Sequence, residues 1–114
     1  MSGREFESLA AEISTLLNLS TTEEEILSLL LRTKKKLRIE EITDQVKRSE
    51  RGVRERLKSL HKKGLIDREW MITDSGQKAH QYFVIHARDL IKKVKKETSR
   101  RVQKIEKRAR KIGK

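Results

Sequence analysis

The chain has no cysteine and no proline, five glycines and four residues with an indole, phenol or phenyl ring among its 114. Without cysteine there is no disulfide framework, no thiolate nucleophile and no thiolate metal site. Three histidines remain, His61, His80 and His86, and the last two are six apart, on different sides of any helix that carries both. With no glycine-rich phosphate loop either, neither a zinc site nor a nucleotide site is indicated, and no cofactor, small-molecule ligand or enzymatic activity is expected. No run approaches the roughly 20 apolar residues of a membrane span, and no secretory signal opens the sequence. A cytoplasmic, nucleoid-associated protein is expected. Asparagine occurs once, as Asn18, in a Lys/Arg/Glu-rich chain, which follows the tendency of heat-adapted proteins.

What the chain has in quantity is charge. Charged residues make up 40% and hydrophobic residues 34%, so a compact core can involve only part of the sequence. The net charge of +12 is uneven. Residues 1–31 carry −5, residues 32–64 carry +8, residues 65–91 carry −1, and the tail from Lys92 to Lys114 carries +10. Two separated basic blocks point to a polyanionic partner, most economically double-stranded DNA.

Apolar spacing divides the chain. Phe6, Leu9, Ile13 and Leu16 form an amphipathic helix over Glu5–Leu17, whose acidic other face (Glu5, Glu7, Glu12) directs it to another helix rather than to DNA. Ser20, Thr21 and Thr22 each have a Glu three residues on, a capping-box signature ahead of a helix rich in Ile26, Leu27 and Leu29–Leu31. Thr33–Arg38 is a basic connector, read either as a solvated loop or as a phosphate clamp formed by Lys34, Lys35 and Lys36. Ile39, Ile42 and Val46 mark a short helix. Ser49 caps the next one, in which Val53, Leu57 and Leu60 recur at i, i+4 and i+7 and Gly64 supplies the stop. Opposite that stripe stand Arg51, Arg54, Arg56, Lys58, Lys62 and Lys63. Two short helices joined by about three residues have helix-turn-helix geometry.

Leu65–Ile72 reads as a very short β-hairpin. Trp70, a lone aromatic beside a strand, is expected in the core, with stacking on a base or sugar as the alternative. Thr73-Asp74-Ser75-Gly76 reads as the cap of a last helix, and no later glycine intervenes until Gly113. A single helix of nearly forty residues, roughly 57 Å long, is therefore expected. Along it Phe83, Ala87, Leu90, Val94, Thr98, Val102, Ile105, Ala109 and Ile112 form a coiled-coil seam with a stutter near Thr98. A seam that outruns its domain needs a partner, so a homodimer is expected. Its interface would comprise Phe6, Leu9, Ile13, Phe83, Ala87, Leu90, Val94, Val102 and Ile105.

The order helix, helix, helix, hairpin, long helix resembles winged helix-turn-helix transcription regulators of the MarR and TrmB groups, in particular small archaeal forms that dimerise through a terminal coiled coil. The resemblance is carried by Ile42-Thr43-Asp44-Gln45-Val46-Lys47-Arg48-Ser49, by Leu57-Lys58-Ser59-Leu60, by Lys63-Gly64-Leu65-Ile66-Asp67-Arg68 and by Ile72-Thr73-Asp74-Ser75-Gly76. Leu17-Asn18-Leu19-Ser20 is similar to the start of the TrmB first helix. The sequence departs from the common pattern where Lys47-Arg48 replaces a glycine and an apolar residue in the turn. The expected fold class is mainly α with a small β-hairpin, in three parts. These are an N-terminal helix supporting the dimer (1–18), a winged helix-turn-helix domain (19–76) and a long basic coiled-coil helix (77–114).

If the helix over residues 50–63 enters the major groove, Arg51 and Arg54 are placed to read guanine. Glu50 and Glu55 would then accept from cytosine, orient an arginine, or simply pair within the helix as Glu50–Arg54, Glu55–Ser59 or Arg51–Glu55. Lys34, Lys35, Lys36, Lys47, Arg48, Ser49, Lys58, Lys62 and Arg68 are candidate phosphate contacts. The expected function is that of a dimeric, sequence-specific transcription regulator. A sequence-independent architectural or chromatin protein is the first alternative, and a winged helix binding an acidic protein partner the second.

Overall fold

The computed structural model describes residues 2–113. Helix α1 spans Gly3–Leu17, α2 Thr21–Thr33, α3 Ile39–Val46, α4 Glu50–Lys62 and α5 Ala87–Ile112, with strands β1 at Leu37–Arg38, β2 at Asp67–Ile72 and β3 at Lys78–Phe83. The strands form one antiparallel sheet in the order β1-β3-β2. Among the described residues, no helix is long and apolar enough to cross a membrane.

Local chemistry sets the boundaries. Ser2 and Ser20 each head a capping box, with Glu5 and Glu23 reaching back to the cap backbone. Asn18, Lys34 and Lys47 end α1, α2 and α3 in the left-handed conformation, at φ of 53°, 54° and 54°. Glycine and asparagine adopt that conformation readily. A lysine does so against its Cβ, and this happens twice, at the two turns that flank the first helix of the helix-turn-helix.

The core runs from α1 to α5. Ile26, Leu27 and Leu30 of α2 lie at its centre, with Ala10 and Leu17 from α1, Ile42 from α3, Val53, Leu57 and Leu60 from α4, and Leu90 from α5 around them. At about 1.5–3 kcal/mol for each fully buried aliphatic chain, the α4 stripe is held firmly enough to fix which face of that helix looks outward. Helix α1 contributes to this same core, so Ile13 is consumed within the protomer.

The segment after Ile72 differs from the sequence expectation. Thr73-Asp74-Ser75-Gly76 is a hairpin turn: the Gly76 amide donates to the Thr73 carbonyl, the Thr73 amide to the Gln77 carbonyl, and Gly76 sits at φ 83°. The chain then returns as β3, in register with β2 from Asp67↔Phe83 to Ile72↔Lys78. Each strand has six residues. The wing is therefore a full hairpin that extends past residue 76 to Phe83. The final helix begins only at Ala87 and has 26 residues, about 39 Å at 1.5 Å per residue. The Thr-Asp-Ser-Gly string serves a turn as well as a cap, and the β3 pairing that decides between them is non-local. The connector Thr33–Arg38 likewise holds β1, where Leu37 pairs with Tyr82.

Candidate nucleic-acid interface

Helix α4 is positioned by its stripe and its cap. The Ser49 hydroxyl accepts the Gly52 amide at 3.1 Å, and Val53, Leu57 and Leu60 are fully buried. Arg51, Arg54, Arg56, Lys58 and Lys62 face solvent. Arg51 is the most accessible candidate reader, its side chain 91% exposed and only loosely held to Glu55 at 3.8 Å. Arg54 is bound to Glu50 at 2.8 Å. Of the roles open to Glu50 and Glu55, pairing within the helix is thus the arrangement adopted. Both acids shield arginines that would have to be released to meet a base edge.

Lys63 departs from the expected cationic face. It turns inward and its ammonium donates to Glu23 at 2.9 Å and to Ser59 at 3.2 Å. Glu23 is thereby a junction: one carboxylate oxygen accepts the Ser20 amide, and the other accepts Ser59 and Lys63. Burial alone would raise this carboxyl. The hydrogen bonds from the Ser20 backbone, Lys63 and Ser59, with the charge of Lys63, hold it below the ordinary carboxylate value. The capping-box spacing identifies half of this role, and the partner 40 residues away has no sequence signal.

Of the other candidate phosphate contacts, Lys47 and Lys35 project into solvent from turns. Arg48 folds back onto α2, bonded to Glu25 at 2.7 and 3.4 Å, and Lys36 is tied across to Glu69 on the wing at 2.7 Å and lies over the Phe83 ring. Lys34 lies over the Phe6 ring, 5.4 Å from its centre. Lys58 and Lys62 come together with Arg54 on one wall of a groove of about 510 Å³, and Arg68, His80 and Tyr82 of the wing form the other. A basic groove between a capped helix and a hairpin suits a phosphate backbone.

The expected seam separates into two parts. Phe83 lies in β3 and not on the helix, and Ala87 is exposed at the start of α5. Leu90 and Val94 are buried in the protomer's own core, as is Ile13, while Phe6 and Leu9 are partly buried against it. None of Ile13, Leu90 or Val94 is free for a partner. Beyond Thr98 the helix leaves the core, and Val102, Ile105 and Ile112 stand in solvent at 45%, 66% and 82% exposure. At that exit Glu97 is nearly buried, clasped by Arg100 at 2.7 Å and Arg101 at 3.3 Å. The Arg100 hydrogen bonds lower its carboxyl, against burial and with help from Arg101.

This architecture has known counterparts. A possible transcriptional regulator from Methanosarcina mazei Go1 superposes with a TM-score of 0.70 at 16% identity, over 87% of this chain and 83% of its own. A protein from the thermoacidophilic archaeon Sulfolobus tokodaii gives 0.68 at 22% identity, over 92% and 98%. A MarR-family transcriptional regulator from Silicibacter pomeroyi gives 0.55 at 19%, over 89% and 66%. At these identities the likeness is one of fold, the winged helix. No protein of curated function matches the sequence significantly. The family model described as the sugar-specific transcriptional regulator TrmB matches residues 14–89, more than half of the chain and all of the helix-turn-helix and wing. With that match laid over the capped α4 and its paired hairpin, the chain belongs to the TrmB family of transcriptional regulators.

Proposed function

We propose that the protein is a sequence-specific DNA-binding regulator that acts as a homodimer, with α4 in the major groove of each half-site. The observation that carries this reading is the orientation of α4. Its buried stripe fixes the helix, and that leaves Arg51 at the exposed N-terminal turn, where recognition helices meet base edges. Lys47, Lys58, Lys62 and Arg68 would hold phosphates on either side and set the register. The homodimer is supported by the outer half of α5. Val102, Ile105 and Ile112 are spaced as a seam and uncovered, and apolar exposure of that kind on a helix beyond its core calls for a second copy. Binding to chromosomal DNA would place the protein on the nucleoid.

A second reading, sequence-independent architectural binding, is favoured by one feature. The tail carries ten positive charges net, and among the described residues its ion pairs are confined to Arg100 and Arg101 with Glu97. A competition titration of one genomic site against random duplex at fixed salt separates the two. A genomic site preferred by about 10³-fold or more supports specific regulation, and equal competition supports the architectural role.

A further inference from the structure

The wing carries a surface that the major-groove reading leaves unused. Side chains alternate along paired strands, so Arg68, Trp70 and Ile72 of β2 share one face with Tyr82, His80 and Lys78 of β3, directly across the register. Sequence patterning places the lone tryptophan in the core. Instead Trp70 is 65% exposed and Ile72 beside it 61%. The indole does not lie loose. One side of it is backed by the His80 imidazole, with ring centres 3.8 Å apart and planes inclined by 30°, and Tyr82 meets His80 edge-on at 6.1 Å.

This row of rings borders the basic groove, where Arg68 of the wing faces Arg54, Lys58 and Lys62 of α4. An indole braced behind and open in front, beside a cationic track, has the two parts of a single-strand site: a π-face for a base and positive charge for the backbone. Intact duplex offers no free base face to stack there, because its bases are already stacked on one another. Burial of His80 and the nearby Arg68 and His61 charges lower the imidazole's pKa, which favours a neutral ring behind the indole.

We propose that the wing is a stacking platform for an unpaired nucleobase, so that the protein binds single-stranded nucleic acid through Trp70 in addition to duplex through α4. The groove cations are shared by the two modes, and Trp70 belongs to the single-strand mode alone. This inference rests on the nucleic-acid reading of the groove, and the experiment separates the two.

Trp70 is the chain's only tryptophan, so its fluorescence reports directly on the platform. The protein is titrated with a short oligothymidylate, with an oligouridylate and with a duplex, and labelled oligonucleotides give the affinities of Trp70→Ala and Trp70→Phe. Quenching by a single strand is expected, with the deoxy and ribo arms showing which backbone is preferred. Trp70→Ala should weaken single-strand binding about 5- to 150-fold and duplex binding less than about twofold, and Trp70→Phe should retain most of the affinity. Absence of single-strand quenching while duplex still binds overturns the platform alone. Equal losses on single strand and duplex overturn it too, since the wing would then lie against paired DNA. An emission shift that follows protein concentration without nucleic acid assigns Trp70 to an interface between copies and also overturns it. Failure to bind either form removes the nucleic-acid reading itself.

Discussion

The two basic blocks of the sequence carry similar net charge, and the fold treats them differently. In residues 32–64 cations are repeatedly neutralised: Lys63 by Glu23, Arg48 by Glu25, Lys36 by Glu69, Arg54 by Glu50. In the tail, among the described residues, the only ion pairs are those of the Glu97 clasp, and the positive side chains beyond Thr98 line a helix that has left the core. The first block spends much of its charge on building a shaped surface, and the second leaves it available to a distant polyanion. Net charge locates a partner class, while the ion pairs decide which charges shape and which attract.

The most severe way to break this contrast is at Glu23. Glu23→Ala removes the cap acceptor and strands Lys63, so it should cost about 3 kcal/mol, near the lower limit for a broken buried pair because Lys63 keeps some solvent access. The check is a shift of the urea midpoint. The same carboxylate gives a pH signature. Its folded pKa lies below the ordinary 4.5, so its stabilisation is present above that value and is lost as pH falls through the lowered one. Stability of Glu23→Gln should therefore depend less on pH across that acid window than wild type does.

Next in size is base reading. Arg51→Ala should weaken the preferred site by about 1–3 kcal/mol while sparing random duplex, as read in competition titrations. Arg54→Ala should behave alike, less the strength of the Glu50 pair that must open. Uniform losses on all sequences would move both residues into the phosphate class. Charge removal at Lys107, Arg108 and Lys111 should instead weaken all sequences together and flatten the salt slope by about 0.9 for each phosphate that is no longer neutralised. An unchanged slope would make the tail a solvated face.

The smallest expected effect is at the turn. Lys47→Gly relieves a left-handed lysine and should stabilise by up to about 1 kcal/mol in thermal or urea unfolding. It also deletes one candidate phosphate ligand, so duplex affinity should fall as stability rises.

Much of the helical frame is legible in the sequence because it is local: a capping box opening at one of Ser20, Thr21 and Thr22, which the structure places at Ser20, the Val53-Leu57-Leu60 stripe and the Gly64 stop, which sits at φ 77°. The wing is not, since β3 is defined by pairing with β2 and β1, and its Lys-Ala-His-Gln-Tyr-Phe string has no strong period of its own. Reading that string as helix extends the seam back to Phe83 and hides the exposed indole. For the candidate interface, residue type is readable and availability is not, because the acids that hold Arg48, Lys36 and Lys63 come from α2 and the wing.

The proposed homodimer requires two copies of α4 to be held at the spacing of successive major grooves. Because the chain lacks cysteine, Arg51→Cys gives one labelling site per protomer, and the distance between two spin labels can be measured in the free protein. A separation of about 34–36 Å, or a multiple of it, is predicted. A monomer without dipolar signal, or a fixed distance well away from whole helical turns, would contradict it.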